Sequence, residues 1–163
     1  MTLVADTDRQ SFVLLRLGDR RFALAATQIS ELVPPTRVFR FPHDTSEIEG
    51  VIIRRGRIVP VCDVAEKLLG KALRSRRFYL IAQQSYGKHK EWLALPVTGD
   101  CELVNAEMTR PSSSDGPHVA GWISHAGDVI EVLNLATLTP SSAELANPSA
   151  SEGSAAKQPE AQP

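Results

Sequence analysis

Two cysteines and four histidines are the side chains of this 163-residue chain best suited to nucleophilic or metal chemistry. Cys62 lies in an alternating apolar run, where a free thiol is typical of a small core side chain, and Cys101 is interpreted in the same way. The four histidines are His43, His89, His118 and His125. Their spacing is not that of a zinc site, and the sequence contains neither a phosphate-binding loop nor a dinucleotide-binding glycine motif. We therefore expect no metal, no cofactor and no enzymatic activity; a thiol enzyme would need a Cys62 that is alkylated rapidly at neutral pH.

Arginines are the conspicuous polar feature of the sequence. One group, Arg54, Arg55 and Arg57, surrounds Gly56, and a second group lies within residues 74–77. Such groups are either solvated edges or surfaces that grip partner carboxylates in a bidentate manner. A nucleic-acid-binding protein is an alternative, but the net charge of −1 and the few aromatic residues argue against nucleic acid as a partner.

Charge is distributed unevenly along the chain. Residues 1–80 hold 14 Lys and Arg against 9 Asp and Glu, whereas residues 81–163 hold 4 against 10. This polarity suits head-to-tail contact with another protein. No apolar run approaches the ~18 residues of a membrane span, and the first residues lack the pattern of a signal peptide. The sequence therefore predicts a cytoplasmic protein with no direct membrane insertion.

The two ends of the sequence are poor in large apolar side chains. Residues 139–163 are rich in Ala, Ser and Pro, and residues 1–10 are polar. Because neither stretch can bury enough surface to offset its ordering entropy, both are predicted to be disordered. The folded part is expected to run from residue 11 to residue 138.

Short apolar runs separated by turn residues predict a mainly β protein. Four hairpins are expected, over residues 12–25, 51–62, 78–97 and 119–133. One helix is expected from Asp63, a possible N-cap, to Leu69, with Gly70 as its stop. A second short helix is predicted over residues 27–33.

An internal repeat organises the folded part. At a shift of 71 residues, positions 22–68 align with positions 93–139, and twelve of these 47 positions are identical. The strand at residues 12–17 aligns with residues 78–83 at a shift of 66. The pseudo-repeats are thus about 11–70 and 77–138. Because a unit of about 60 residues is marginal alone, we expect two lobes that share a core, with a ligand- or helix-binding groove where they meet.

The run GVIIRRGRIVPVCDV at residues 50–64 resembles the signature of the CheW family of bacterial chemotaxis coupling proteins. Residues 12–24 resemble that family's first hairpin, residues 29–33 its Val-x-Glu-Ile segment, and residues 93–103 and 121–135 its second half. The resemblance implies two SH3-like, five-stranded β-barrel subdomains packed together, with short helices.

The same resemblance implies a non-catalytic adaptor in chemotaxis signal transduction. Its implied partners are the regulatory domain of a CheA-type histidine kinase and the cytoplasmic tip of a methyl-accepting chemotaxis receptor. A paralogous coupler in a pilus or other chemosensory-like array is an alternative, and an SH3-like nucleic-acid-binding protein is an alternative of another class. Departures from the family pattern, including Ile53-Arg54 in place of Asn-Leu, bear on which partner is bound.

The resemblance also indicates some of the site residues. Glu31 and Arg55 correspond to a charged pair near the family's binding surface, and Ile29 corresponds to an apolar position beside it. The predicted partner-binding residues are Ile29, Glu31, Arg54, Arg55, Gly56, Arg57, Asp100 and Leu103. We expect Glu31 and Arg55 to approach each other and to steady the hairpin.

Overall fold

A computed structural model of the chain describes residues 9–40, 48–86 and 88–139. Within these residues the chain forms ten strands and two short helices. The first five strands are β1 (Arg9–Leu17), β2 (Arg20–Ala25), β3 (Ile29–Val33), β4 (Gly50–Arg54) and β5 (Arg57–Val61). The other five are β6 (Phe78–Tyr86), β7 (His89–Val97), β8 (Glu102–Glu107), β9 (Val119–His125) and β10 (Asp128–Leu133). The helices are α1 (Ala65–Leu69) and α2 (Leu135–Leu138). The predicted all-β class with short helices is confirmed.

The strands form two five-stranded sheets of equivalent order. Sheet A runs β8-β1-β2-β10-β9, and sheet B runs β3-β6-β7-β5-β4. The sequence repeat relates them strand by strand, including their parallel pairs: Val132 of β10 faces Ala23 of β2, as Val61 of β5 faces Ala94 of β7. The sequence repeat is therefore also a structural repeat.

The two sheets do not coincide with the two repeats. Sheet B is built from one continuous stretch, residues 29–97, whereas sheet A combines β1 and β2 with β8, β9 and β10. The expectation that each repeat forms its own lobe is thus wrong. Exchange of the first hairpin between the repeats buries surface that a unit of about 60 residues could not bury by itself.

The hairpins β1-β2 and β6-β7 are apolar on both faces because each lies between two cores. Alternate residues of β1, Phe12 and Leu14, face the interior of sheet A, whereas Leu15 and Leu17 face the other sheet. The largest apolar cluster lies between the sheets and includes side chains of both helices, among them Leu135 of α2. The shared core expected from the repeat is present, and packed side chains occupy the centre of the seam where a groove was expected.

Each sheet curls and is closed by a backbone bridge beside a glycine. The N–H and C=O of Phe39 bond to Val51 at 2.8 Å each, and the equivalent bridge joins Thr109 to Trp122. A Cβ at Gly50 would lie 2.6 Å from the Phe39 carbonyl oxygen, and one at Gly121 would lie 2.7 Å from that of Thr109. Glycine is therefore required at both closures, in the manner of small SH3-like barrels.

Residues 27–33 differ from their predicted helix. Only Ala26–Gln28 forms a short 3-10 turn, and Ile29–Val33 is strand β3. Non-local pairing with β6 decides this conformation, since a short segment that contains three β-branched or apolar residues suits a half-buried strand. Strand β8, its repeat equivalent, was not predicted either. At the N-terminus, β1 begins at Arg9, inside the stretch predicted to be disordered, because Arg9 pairs with Glu107.

The helix predicted after β5 is confirmed, with Gly70 at its end in the left-handed conformation (φ 82°). The carboxylate of Asp63 accepts hydrogen bonds from the backbone N–H groups of Ala65 and Leu73, at 3.0 Å each. It also pairs with Arg76 at 2.9 Å, and Arg76 forms a bidentate ion pair with Glu49. Arg76, predicted as part of a solvated or partner-binding group, instead ties the crossover between the repeats to sheet B.

Candidate functional site

The tip of the β4-β5 hairpin carries the arginine group. Arg55 and Gly56 form its two-residue turn with φ values of 54° and 76°, as a type I′ turn requires. Glycine adopts this conformation readily, whereas an L-residue such as Arg55 does so at a cost of about 1 kcal/mol. The turn holds Arg54 and Arg57 opposite each other at the ends of the two strands.

The carboxylate of Glu31 forms ion pairs with both neighbouring arginines, Arg54 and Arg55. Its carboxylate accepts from Arg54 Nη2 at 2.8 Å and Nε at 3.1 Å, and from Arg55 Nε at 3.3 Å and Nη2 at 3.5 Å. Because β3 and β4 are the two edge strands of sheet B, this ion pair joins the edges across the open end of the sheet. A register shift between Ile29 and Glu31 in the β3-β6 ladder turns Glu31 toward this end.

The expected pairing of Glu31 with Arg55 is present, but Arg54 is the closer partner. The hydrogen bonds from Arg54, followed by those from Arg55, lower the pKa of Glu31 to about 2, against an ordinary value of 4.5. The same bond raises the pKa of Arg54. The Arg55 side chain stays 74% exposed while making the longer contacts. Glu31 is therefore a fixed negative charge held by Arg54, and Arg55 is held less tightly.

Arg57 lies at the same end of the sheet but pairs with an aromatic ring. Its guanidinium carbon lies 4.9 Å from the centroid of Trp92 on β7, a cation–π contact. A shallow pocket of about 120 Å³ lies between Arg57, the Glu31 ion pair and the side chains of Val59 and Ile81. We call Glu31, Arg54, Arg55, Arg57 and Trp92 cluster B.

Sheet A carries an equivalent group, cluster A, formed by Glu102, His125, Ala126, Asp128 and Arg21. Glu102 Oε2 lies 3.5 Å from His125 Nε2, which matches the Glu31–Arg54 pair. Arg21 pairs with Asp128 at 2.9 Å, where cluster B has Trp92 and Arg57. Ala126, at φ 52°, stands where cluster B has Arg55. Cluster A and cluster B thus share one geometry but differ in their charges.

Four of the eight predicted site residues have side chains that meet in cluster B, and Gly56 makes their turn. Ile29 lies on the same strand as Glu31 but packs against the core between the sheets. Asp100 and Leu103 lie by sheet A, at the repeat equivalents of Ile29 and Leu32; both are exposed, Leu103 at 68%. The structure therefore does not bring Asp100 and Leu103 to cluster B, and their partner-binding role stays a prediction.

Sequence reasoning missed Trp92 as a site residue. Its alternation with Ala94, a buried residue of β7, places it on the inner face of sheet B, and this period-2 signal was available in the sequence. That Arg57 lies over Trp92 depends on the parallel pairing of β5 with β7, which no local pattern discloses.

The thiols and other reactive groups form no further site in the described part of the chain. Cys62 is buried between the sheets, and burial, aided by the charge of Asp100, raises the pKa of Cys101 to about 11. Residues 9–40, 48–86 and 88–139 contain no group of three metal-ligating side chains that could hold an ion. Among the helices of these residues, none has the length and apolarity to cross a membrane. His43 lies outside the described residues.

Comparison with known proteins agrees with the fold. The structure superposes with a TM-score of 0.65 on the crystal structure of the scaffolding protein TtCheW from Thermoanaerobacter tengcongensis, at 20% sequence identity over 77% of this chain and 84% of that one. The chain is also 23% identical over 110 residues to the chemotaxis protein CheW of Klebsiella aerogenes. That match covers 68% of this chain and 66% of the relative, just under two thirds of the relative's length.

The family assignment rests on the match to a family model rather than on these two relatives. Residues 11–99, more than half of the sequence, match the model of the CheW-like domain. They extend from β1 through all of sheet B and include every residue of cluster B. This protein therefore belongs to the CheW-like domain family.

Proposed function

We propose that this protein is a non-catalytic adaptor of a bacterial chemotaxis system, which couples chemoreceptors to a CheA-type histidine kinase. Its family membership carries the proposal, since the relatives it resembles are a chemotaxis protein and a scaffolding protein. The regulatory domain of the kinase and the cytoplasmic tip of the receptor are the proposed partners.

The geometry supports binding rather than catalysis. In the described residues the conspicuous polar constellation is an exposed arginine group around a hairpin turn, beside a shallow pocket of about 120 Å³. Two exposed apolar side chains, Ile53 and Ile58, lie on the other face of the same hairpin, and exposed apolar pairs of this kind suit a protein interface. Cluster B is therefore the surface that we propose for partner docking.

The direct test is reconstitution with the kinase and a receptor cytoplasmic fragment from the same organism. We expect receptor control of kinase autophosphorylation only when this protein is added, and co-sedimentation of all three proteins. Binding to neither partner would refute the adaptor assignment. Tight binding to generic DNA with a steep inverse salt dependence would favour the nucleic-acid alternative instead.

A further inference from the structure

We propose that cluster B binds an acidic partner segment in which carboxylates alternate with aliphatic side chains. Arg55 and Arg57 take the carboxylate, and Ile53 and Ile58 contact the aliphatic groups. The inference deepens the proposed function by naming the chemistry of the segment that docks at this end of sheet B.

The first reason is that the single carboxylate of Glu31 does not neutralise all three arginines around it. Arg54 makes the two short contacts with its carboxylate, at 2.8 and 3.1 Å, while Arg55 adds two longer ones. Arg55 therefore can turn toward an incoming carboxylate while Arg54 keeps Glu31 paired. Three arginines against one glutamate leave cluster B with a net charge of +2 at neutral pH.

The second reason is the state of Arg57. Its guanidinium stacks over Trp92, and none of the described carboxylates forms an ion pair with it. A guanidinium that stacks through its face keeps its N–H edge available for a bidentate grip on a carboxylate. The pocket beside it is lined by Arg55 and Arg57 together, so one carboxylate can reach both.

The third reason is the apolar surface on the other face of the same hairpin, which alternate side chains of an extended segment beside β4 can reach. Ile53 and Ile58 face each other across the β4-β5 ladder, one residue inside the Arg54–Arg57 pair, and are 52% and 69% exposed. The equivalent positions in sheet A are Ser124 and Val129. An exposed isoleucine pair at the edge of a sheet offers burial to an aliphatic side chain.

A carboxylate on an apolar segment fits this surface better than a polyphosphate backbone does. Glu31 is a fixed negative charge in the centre of the cluster, and it would repel closely spaced phosphates on either side. The exposed isoleucines would gain nothing from a hydrated phosphate chain. Charge complementarity together with the apolar edge thus favours an acidic, aliphatic protein segment as the occupant.

Two matched peptides test the inference without knowledge of the natural partner. One is N-acetyl-Leu-Glu-Leu-Glu-Leu-amide, and the other has Gln in place of each Glu. Because the chain has two tryptophans, Trp92 on β7 of sheet B and Trp122 on β9 of sheet A, their indole N–H resonances report the two sheets separately. The peptides are titrated into the full chain at about 20 mM and about 200 mM salt.

We expect the Glu peptide to shift the Trp92 resonance and to leave that of Trp122 unchanged. The Gln peptide should bind at least about tenfold more weakly, and the higher salt should weaken the Glu peptide. Arg55→Ala and Arg57→Ala should each reduce binding, whereas Arg110→Ala, an exposed arginine near sheet A, should not. Ile58→Ser should weaken both peptides.

Equal shifts with the Glu and Gln peptides, equal responses at Trp92 and Trp122, or no shift at either tryptophan would each overturn the inference. So would a stronger response of Trp92 to an oligonucleotide or to inorganic phosphate. These outcomes are independent of reconstitution with the kinase and receptor, so the adaptor assignment can fail while the peptide result stands, or the reverse.

Discussion

Cluster B and cluster A occupy equivalent ends of two equivalent sheets. They share the two-residue turn with positive φ, the glutamate on the third strand of the repeat, and a basic side chain facing it. Cluster B has three arginines and a tryptophan, whereas cluster A has Asp128 in place of Arg57 and Ala126 in place of Arg55. The two repeats thus share the turn and the glutamate with its basic neighbour, whereas the exposed charges around them differ.

Substitution of the glycines at the two sheet closures should give the largest losses of stability, and the two losses should be similar. Gly50→Ala and Gly121→Ala each place a Cβ under 3 Å from a backbone carbonyl oxygen, so each should lower the free energy of unfolding by about 2 to 3 kcal/mol. Urea denaturation measures both. Gly56→Asn is the control, because its turn position is open and asparagine tolerates positive φ. A neutral Gly121→Ala would mean that the two closures are not equivalent.

In the described part of the chain the Arg76 network lies at sheet B and has no counterpart at sheet A, so its removal should cost more stability than the matched change at sheet A. Arg76→Ala leaves Glu49 and Asp63 partly buried without their shared cation and should cost about 2 kcal/mol. At the repeat equivalent of Asp63, Asn134 accepts one bond from the Ala136 N–H, and Asn134→Ala should cost about 1 kcal/mol. Thermal unfolding of both variants measures the difference. Equal losses would contradict a structural role particular to Arg76.

A new carboxylate in the turn should affect partner binding in cluster B but not in cluster A, and it should leave the stability nearly unchanged in both. Arg55→Asp should weaken kinase or receptor binding at least about tenfold if cluster B is the docking surface, because it replaces an exposed cation with a carboxylate. Its melting temperature should stay nearly unchanged, since aspartate accepts positive φ and Arg54 still holds Glu31. Ala126→Asp makes the matched change in cluster A. If Arg55→Asp unfolds the protein, Arg55 is a structural residue and the docking assignment fails.

Acid titration should show whether Arg54 or Arg55 lowers the pKa of Glu31 more. Its folded pKa of about 2 lies below its ordinary value of 4.5, so the pair stabilises the fold above pH 4.5 and this contribution is lost as the pH falls through about 2. Carbon-detected NMR of the Glu31 carboxyl should give a midpoint near 2. Arg54→Ala should raise that midpoint more than Arg55→Ala does. The opposite order would make Arg55 the main partner.

Thiol reactivity should give the smallest difference. Cys62 is buried in the core between the sheets, and burial raises the pKa of Cys101 to about 11. Iodoacetamide at neutral pH should therefore modify both thiols slowly, with Cys101 reacting faster as the pH approaches 11 and Cys62 reacting only on unfolding. Mass spectrometry of the labelled peptides reads both sites. Rapid labelling of native Cys62 at neutral pH would reopen the thiol-enzyme alternative.

Much of this arrangement could be predicted from local sequence, and the remainder could not. Alternation and turn residues identified the hairpins, and the repeat predicted equivalent units. The helix predicted over residues 27–33 was wrong because β3 is fixed by pairing with β6, a contact about 50 residues away in sequence. For the same reason the exchange of hairpins between the repeats left no local trace.

The candidate site, too, could be predicted from the sequence only in part. The resemblance to the family placed Glu31 beside Arg55, and the structure brings them together. It could not assign the short contacts to Arg54, because that residue departs from the family pattern. The stacking of Arg57 on Trp92 depends on the curvature and parallel pairing of sheet B.

The continuous stretch that forms sheet B leaves and rejoins sheet A through two separate covalent connections, before Ile29 and after Val97. Two connections restrict relative rotation more than one flexible linker would, and hydrogen bonds from Thr98 to Arg16 and from Gly18 to Thr98 fasten the return. With apolar packing between them, the sheets have little freedom to hinge. Cluster A and cluster B would therefore keep a constant spacing and mutual orientation.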